Sequence, residues 1–177
     1  KITYEFPKEA KFGCDGVNLD LTWAEISYQL LENTATQSKD EFDALYKFTQ
    51  KNSVGTQFEL TSSNEWKAIT DPKKIYGKVE EVADPHGTTN TILRWTLSTS
   101  DMQRIYQESD SHSKTIYVRY ESKQGETANA PIYMPLKATV LKPVGAVKTK
   151  IAEYWYENGT TTRLNVAYPK DGGNTLQ

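Results

Sequence analysis

Two runs of alternating side chains in the middle of the chain constrain its fold more than any other feature of the sequence. Every second position from Ile116 to Tyr120 carries Ile, Val or Tyr. After a polar loop around Gly125, residues 132–140 repeat this rhythm. Because successive side chains of a β-strand point to opposite faces, each run predicts a strand with one apolar face. Together they predict a β-hairpin whose apolar face is formed by Ile116, Val118, Tyr120, Ile132, Met134, Leu136, Ala138 and Val140.

Two short motifs in the first half of the chain predict helices. Thr22 is followed three residues later by Glu25, and Ser38 is followed in the same way by Glu41. In this spacing, the two side chains bond to backbone amides that the first turn of a helix leaves free. We therefore expect one helix over residues 23–32 and another directly after Ser38. The apolar face of the second helix would contain Phe42, Leu45, Tyr46 and Thr49.

The other segments before the hairpin predict strands and single helical turns. Strands are expected over residues 57–61, 75–82 and 93–97, where apolar and polar side chains alternate. Single turns of helix are expected at residues 66–69 and 101–106. The predicted fold class is therefore a β-rich α+β chain with two helices inserted near the N-terminus.

The last part of the chain is predicted to form a separate unit. Asn158 and Gly159 make the dipeptide that most favours a two-residue hairpin turn, here between strands over residues 148–157 and 160–168. An isolated two-stranded hairpin is marginally stable in water. It therefore either docks on the preceding residues or begins a second β-domain. The predicted organisation is a domain over residues 1–142 and a linker with a hairpin unit over residues 143–177.

Charge and cysteine content exclude several kinds of partner and site. The 21 Lys and Arg residues are balanced by 23 Asp and Glu residues, which gives a formal net charge of -2. A chain with this balance and no basic block is not expected to bind nucleic acid. Cys14 is the only cysteine. This excludes an intrachain disulfide and a zinc site built on paired thiolates.

The composition favours an extracellular chain. No apolar run reaches the roughly 20 residues of a membrane-spanning helix. The 11 Tyr and 4 Trp residues, with a mean hydropathy of -0.69, are typical of secreted β-sheet modules. We expect a cell-surface or secreted protein. Any lipid anchor would be attached through a segment outside these 177 residues.

The order of elements in residues 91–141 resembles the last three strands of an immunoglobulin-like or fibronectin type III β-sandwich. The strand at residues 117–120, paired with residues 132–137, carries the resemblance. A tyrosine near the start of the sixth strand of that family bonds back to the preceding corner, and Tyr117 is the matching position. The first half departs from the pattern, because it has two capped helices where the family has strands. In its richness in Tyr, Trp and Thr, the chain is also similar to surface or lipid-anchored proteins of Bacteroidetes. In those proteins such domains precede or separate glycan-handling modules.

Sequence motifs of catalytic or metal sites are absent. His86 and His112 have no second His or Cys at ligand spacing. Two carboxylates across a cleft would suffice for glycoside hydrolysis, although the ordinary interpretation of each candidate is a solvated charge. The candidates are Glu80, Glu81, Asp84, Glu108 and Asp110. Oxygen ligands for calcium could come from Asp71, Asp84, Asp101 and Asp171, whose spacing matches no known loop. We expect no catalytic residue, metal or cofactor.

Aromatic side chains give the one candidate binding site in the sequence. Tyr154, Trp155 and Tyr156 are consecutive on a predicted strand, so Trp155 faces away from its two neighbours. Exposed flat rings suit the apolar faces of sugars. The alternative is that these rings belong to a core or a subunit interface. Trp23, Trp66 and Trp95 are expected in the core.

These patterns lead to three functional hypotheses. The first is a non-catalytic structural or adhesion-type module of a cell-surface protein, with other domains of that protein as partners and a role in glycan handling. The second is a carbohydrate-binding module proper, which uses exposed aromatic rings to bind polysaccharide. The third is a fragment of a glycoside hydrolase that uses two carboxylates, which requires a cleft where two acidic side chains converge.

Overall fold

A computed structural model describes most of the first 141 residues with their side chains, and beyond them the backbone of short strands. The chain divides into two units, which are described separately. One is formed by Lys1–Ala10 with Cys14–Val140, and the other by Lys11–Gly13 with Leu141–Gln177. The described side chains lie in residues 5–12, 16–30, 38–50 and 56–141, and the described strands beyond them lie between residues 149 and 175.

The described part of the chain contains three α-helices among many strands, and every pairing with a defined register is antiparallel. The predicted β-rich α+β composition is confirmed. Up to residue 141 the elements are β1 (Lys8–Lys11), β2 (Val17–Leu21), α1 (Trp23–Gln29), α2 (Lys39–Leu45), β3 (Tyr46–Phe48), β4 (Phe58–Leu60), β5 (Trp66–Ala68), a 3-10 turn (Pro72–Lys74), β6 (Lys78–Ala83), β7 (Thr91–Leu97), α3 (Thr99–Glu108), β8 (Ser113–Ser122) and β9 (Ile132–Leu141).

The predicted hairpin is the centre of a six-stranded sheet with the order β1-β9-β8-β4-β5, in which β3 also pairs with β8. Val118 lies opposite Met134 and Tyr120 lies opposite Ile132. All eight residues of the predicted apolar face are buried. The hairpin prediction is therefore confirmed in strand position and in the face that is buried.

A second, three-stranded sheet has the order β2-β7-β6. Leu19, Leu93 and Trp95 of the smaller sheet and Leu136 of the larger one line a common cavity of only about 10 Å³. The apolar faces of the two sheets therefore meet in the core, as in layered β-structures.

Helix α2 closes one end of this core with a cluster of aromatic rings. Phe42 is 1% exposed, and its ring centroid lies 5.3 Å from that of Trp23, 5.0 Å from that of Tyr46 and 5.1 Å from that of Tyr120. Both predicted capping boxes are present, Thr22 with Glu25 in α1 and Ser38 with Glu41 in α2.

Several predicted boundaries and turns are wrong, and pairing with other strands explains most of them. Helix α2 ends at Leu45 because Tyr46 and Phe48 pair with β8. The turn predicted around Trp66 is strand β5, which pairs with β4. The turn predicted over residues 101–106 is the longer helix α3, capped by Ser98.

The last strands are β10 (Thr149–Ile151), β11 (Tyr154–Glu157), β12 (Thr160–Arg163), β13 (Val166–Pro169) and β14 (Gly172–Thr175). The first three form one sheet in the order β10-β11-β12, and β13 pairs with β14. Glu157 lies opposite Thr160, so β11 and β12 form the predicted hairpin pairing, while Asn158 and Gly159 lie outside the described residues. The single strand predicted over residues 148–157 is instead two strands that pair with each other.

The capping carboxylate of α1 makes an acid-sensitive contact. Burial would raise the pKa of Glu25, but Lys8 at 2.7 Å and the hydrogen bonds from Thr22 outweigh burial and hold that pKa below its usual value. A lowered pKa in the folded state stabilises the fold above the unfolded pKa of about 4.3, and the contribution is lost as the pH falls through the folded value.

We expect Glu25→Gln to lower the free energy of unfolding by about 0.5–1 kcal/mol at pH 7, and by progressively less between about pH 5 and pH 3. Urea denaturation across this pH range measures the difference. Glu41→Gln is the matched control, because Glu41 has the same capping position and no ion pair with any described residue. A difference for Glu25→Gln that does not change with pH would contradict the prediction.

Candidate functional site

Four aromatic side chains converge on the outer face of the six-stranded sheet, and we call them the aromatic patch: Phe58, Trp66, Tyr117 and Tyr133. They come from β4, β5, β8 and β9 respectively. The rings of Trp66 and Tyr133 are stacked with centroids 4.3 Å apart and planes 6° apart. Tyr117 meets Trp66 edge to face at 4.9 Å, and Phe58 meets Tyr133 in the same way at 5.3 Å.

The strand pattern explains why these rings share one face. Phe58 lies opposite Tyr117 in the β4–β8 pairing, and paired residues project from the same side of a sheet. Tyr117 lies on the face of β8 opposite the buried Val118. The inner positions of β8 and β9 carry core residues such as Val118 and Met134, and Tyr117 and Tyr133 occupy the alternate, outer positions.

The patch is partly open to water. Phe58 is only 5% exposed and forms its floor, whereas Trp66, Tyr117 and Tyr133 are half-buried. Leu60, which pairs with Trp66, is 49% exposed. Clusters of large apolar side chains that remain partly exposed on a sheet are a common mark of a binding surface.

A groove of about 440 Å³ adjoins the aromatic patch, shares Phe58 and Tyr117 with it and is also lined by Leu60. It also contains three lysines, from the 3-10 turn and from β8. Among the described residues that line it, the one acidic residue is Glu59. The lysines are Lys73, Lys74 and Lys114.

Tyr76 is a buried wall of this groove and is held in the neutral form. Burial raises its pKa to about 12, helped by the hydrogen bond that its hydroxyl donates to Glu108 and by the charge of Glu108. The Arg104 guanidinium lies 4.1 Å from the ring centroid and acts in the opposite direction. Arg104 also donates to the carbonyl oxygens of Lys73 and Ile75, so it holds the edge of the groove in place.

The aromatic residues predicted from the sequence as ligand-binding are Tyr154, Trp155 and Tyr156. The structure places them on β11, the central strand of its sheet, with Trp155 opposite Lys150 on one side and Thr162 on the other. Their side chains lie outside the described residues. The prediction that they bind a ligand therefore stays a prediction.

Of the three tryptophans expected in the core, Trp23 and Trp66 are only half-buried. Trp95 is buried as expected, at 2% exposed, but Trp66 belongs to the half-open patch. The available signal was the loop Ser62-Ser63-Asn64 between two short apolar segments, which is typical of a hairpin. Reading that loop as a turn puts Leu60 and Trp66 opposite each other, as the structure has them.

Four of the five candidate carboxylates make local contacts, and they are Glu80, Glu81, Asp84 and Glu108. Glu80 lies 3.7 Å from Lys78, and Glu81 lies 3.8 Å from Lys39. Asp84 accepts hydrogen bonds from Thr88 and from the backbone of His86, and these hold its pKa below the usual value. Glu108 accepts from Tyr76. These contacts stabilise turns, strand edges and the α3 end.

The calcium candidates also serve the local fold where they are described. Asp71 caps the 3-10 turn and Asp101 caps α3, while Asp171 lies outside the described residues. In the described ranges, no three His, Cys, Asp or Glu residues come together as a possible metal site. His112 stacks on the ring of Tyr106 at 3.8 Å, and its Nδ1 lies 2.8 Å from the Tyr106 carbonyl oxygen.

The described helices are all too short or too polar to span a bilayer.

The geometry of the site is that of a half-open aromatic patch that continues into a groove with three lysines. Comparison of the chain with models of protein families, with curated proteins and with solved structures found no match.

Proposed function

We propose that the chain is a non-catalytic extracellular module of a cell-surface protein, with a structural or adhesive role, and that it binds carbohydrate through the aromatic patch. The observation that carries this proposal is the half-exposed stack of Trp66 on Tyr133, with Tyr117 at its edge. Trp and Tyr rings combine a large apolar surface with a polar tip, which suits a sugar that presents C–H groups on one face and hydroxyls at its rim.

The position of the patch on a sheet adds to this support. Binding groups on strands of a packed sheet are held more firmly than groups on loops. Phe58 fixes the patch from below, and the Arg119 guanidinium lies 4.7 Å from the Phe58 ring centroid. A surface that is already ordered loses little conformational entropy when a ligand binds.

The proposal extends to the architecture. The two facing sheets are taken as an immunoglobulin-like sandwich of the kind found in Bacteroidetes surface proteins, with α1 and α2 inserted. Antiparallel pairing and a shared apolar core support this assignment. Residues 143–177 would then begin a neighbouring β-domain of the same protein.

Replacing Trp66 with alanine is expected to weaken polysaccharide binding at least about tenfold, because the variant loses the largest ring of the patch. Affinity electrophoresis of the full chain through gels that contain a panel of neutral and acidic polysaccharides measures the effect. Tyr28→Ala is the control, since Tyr28 is also an aromatic residue, 47% exposed, but lies on α1 outside the patch.

Two results would contradict the proposal. The first is that the full chain binds no polysaccharide of the panel. The second is that Trp66→Ala and Tyr28→Ala have the same effect on binding while far-UV circular dichroism shows both to be folded. An aromatic patch that serves only as a contact with another protein domain would give the first result.

A further inference from the structure

We propose that the groove beside the aromatic patch binds the acidic groups of a polysaccharide, so that the preferred ligand of this chain is an acidic glycan. This inference rests on the proposed carbohydrate-binding function and specifies its substrate class. It depends on the lysines of the groove, on the chemistry of its wall and on the side chains that it shares with the patch.

The three groove lysines have no carboxylate partner among the described residues. Lys8, Lys39 and Lys78 each lie within 4.0 Å of an acidic side chain, but Lys73, Lys74 and Lys114 do not. Among the described residues that line the groove, three are lysines and one, Glu59, is acidic. In a chain of net charge -2, this is a local positive excess. A concave surface with charges of one sign concentrates ligands of the opposite sign.

The wall of the groove does not cancel this positive charge. The Lys114 ammonium lies 4.8 Å from the centroid of the Tyr76 ring, which favours a cation by its ring electrons. Tyr76 keeps its proton at neutral pH, and the Glu108 carboxylate that accepts from its hydroxyl is offset by the Arg104 guanidinium on the same ring. Arg104 on the same ring is occupied by backbone carbonyl oxygens and by Asp101, which leaves the lysines as the groups available to a ligand.

Shared side chains make the patch and the groove parts of one surface. Phe58, Leu60 and Tyr117 line the groove, and Phe58 and Tyr117 also contact the stacked rings. One sugar ring can thus lie against the aromatic patch while an acidic group of the same chain lies beside the lysines. Ring stacking supplies affinity for the sugar, and the lysines select for charge.

An acidic polysaccharide fits this arrangement better than a nucleic acid or an acidic peptide. Nucleic acid affinity comes mainly from neutralising many phosphates, and the groove offers three lysines for this, whereas stacking on the patch can supply affinity for a sugar. An acidic peptide would use the lysines but would have no need of the half-open Trp66–Tyr133 stack. Each of these alternatives is an outcome of the test below.

The test compares the full chain with two triple variants of equal charge. The groove variant is Lys73→Gln, Lys74→Gln and Lys114→Gln. The control variant is Lys47→Gln, Lys67→Gln and Lys123→Gln, because these lysines are exposed and lie outside the groove. Binding to polygalacturonate, a sulfated galactan, a neutral β-glucan, poly-glutamate and single-stranded DNA is measured by calorimetry at low and high salt.

We expect the unmodified chain to bind polygalacturonate or the sulfated galactan more tightly than the β-glucan, and to lose this preference at high salt. The groove variant should bind the acidic glycan at least about tenfold more weakly than the unmodified chain. The affinity of the control variant should differ from that of the unmodified chain by less than about threefold. Carboxylate and sulfate are separated by which of the two acidic glycans binds.

The remaining outcomes overturn the inference. Tight, Trp66-dependent binding of the β-glucan that equals binding of the acidic glycans would leave the proposed function standing and remove the acidic preference. If the two triple variants lose affinity for the acidic glycan equally, the loss comes from the change in net charge and not from the groove. Stronger binding of poly-glutamate or DNA would assign the groove to a peptide or a nucleic acid, and absence of all glycan binding would overturn the proposed function as well.

Discussion

Replacing Phe42 with alanine is expected to lower the free energy of unfolding by about 3–5 kcal/mol, the largest effect of a single substitution that we predict. Phe42 is 1% exposed, and its ring contacts Trp23, Tyr46 and Tyr120. Its removal takes away transfer free energy and leaves a cavity, because three rings held by α1, β3 and β8 cannot all move inward. Urea denaturation followed by tryptophan fluorescence measures the loss.

Leu60→Ala is the control for this prediction. Leu60 is also a large apolar side chain, but it is 49% exposed, so its truncation should change the free energy of unfolding by less than about 0.5 kcal/mol. Similar losses for Phe42→Ala and Leu60→Ala would show that α2 does not pack on the sheet through Phe42.

Replacing Gly77 with alanine is expected to cost about 3 kcal/mol, the second largest effect. Gly77 has φ +70°, a conformation that is strained for alanine. An added Cβ would also overlap the Thr96 carbonyl oxygen and lie 2.9 Å from Nε1 of Trp95. That indole donates at 2.8 Å to the Tyr76 carbonyl, and Gln57 bonds to the same peptide, so the neighbours cannot give way without losing buried hydrogen bonds.

Gly87→Ala separates the strain of a positive φ from the steric overlap of the added Cβ. Gly87 has φ +83°, but no atom lies within 4 Å of the position that a Cβ would occupy. Its substitution should cost only the conformational term of about 1 kcal/mol. Chemical denaturation gives the free energy of unfolding of each variant. The difference between Gly77→Ala and Gly87→Ala therefore measures the cost of the steric overlap with β7 at Gly77. Equal costs would contradict the packing described for this corner.

The parts of the fold that could be predicted are those fixed by local patterns. The β8–β9 hairpin follows from an alternation that is repeated over two long strands, and α1 and α2 follow from capping boxes that act within one turn. The end of α2 could not be predicted, because Tyr46 fits both the helical face of Phe42 and the alternation with Phe48. Pairing with β8 decides between them, and it is a contact distant in sequence.

The start of α3 was predicted two residues too late, although its capping signal is present in the sequence. Ser98 caps this helix with Asp101 as the reciprocal partner, a box in which aspartate stands where glutamate is usual. The turn predicted over residues 101–106 begins after this cap and is therefore shorter than the helix. Met102 and Ile105, which α3 buries, lie on the face that the longer helix requires.

The aromatic patch could not be predicted from the sequence. The sequence indicated that exposed aromatic rings would be the binding groups, and it pointed to Tyr154, Trp155 and Tyr156 because they are consecutive. The aromatic patch is assembled from four strands, and its groove from β4, the 3-10 turn and β8. Such a site has no local pattern, since its residues meet only after the strands have paired.

Residue-level footprinting tests the central claim, that the aromatic patch binds glycan, most directly. Hydroxyl radicals oxidise exposed aromatic side chains, and mass spectrometry counts the products with and without the polysaccharide that binds most tightly in the panel. We predict that bound polysaccharide protects Trp66, Tyr117 and Tyr133 and leaves Tyr28 unchanged. Protection confined to Tyr154, Trp155 and Tyr156, or no protection of any aromatic residue, would contradict the claim.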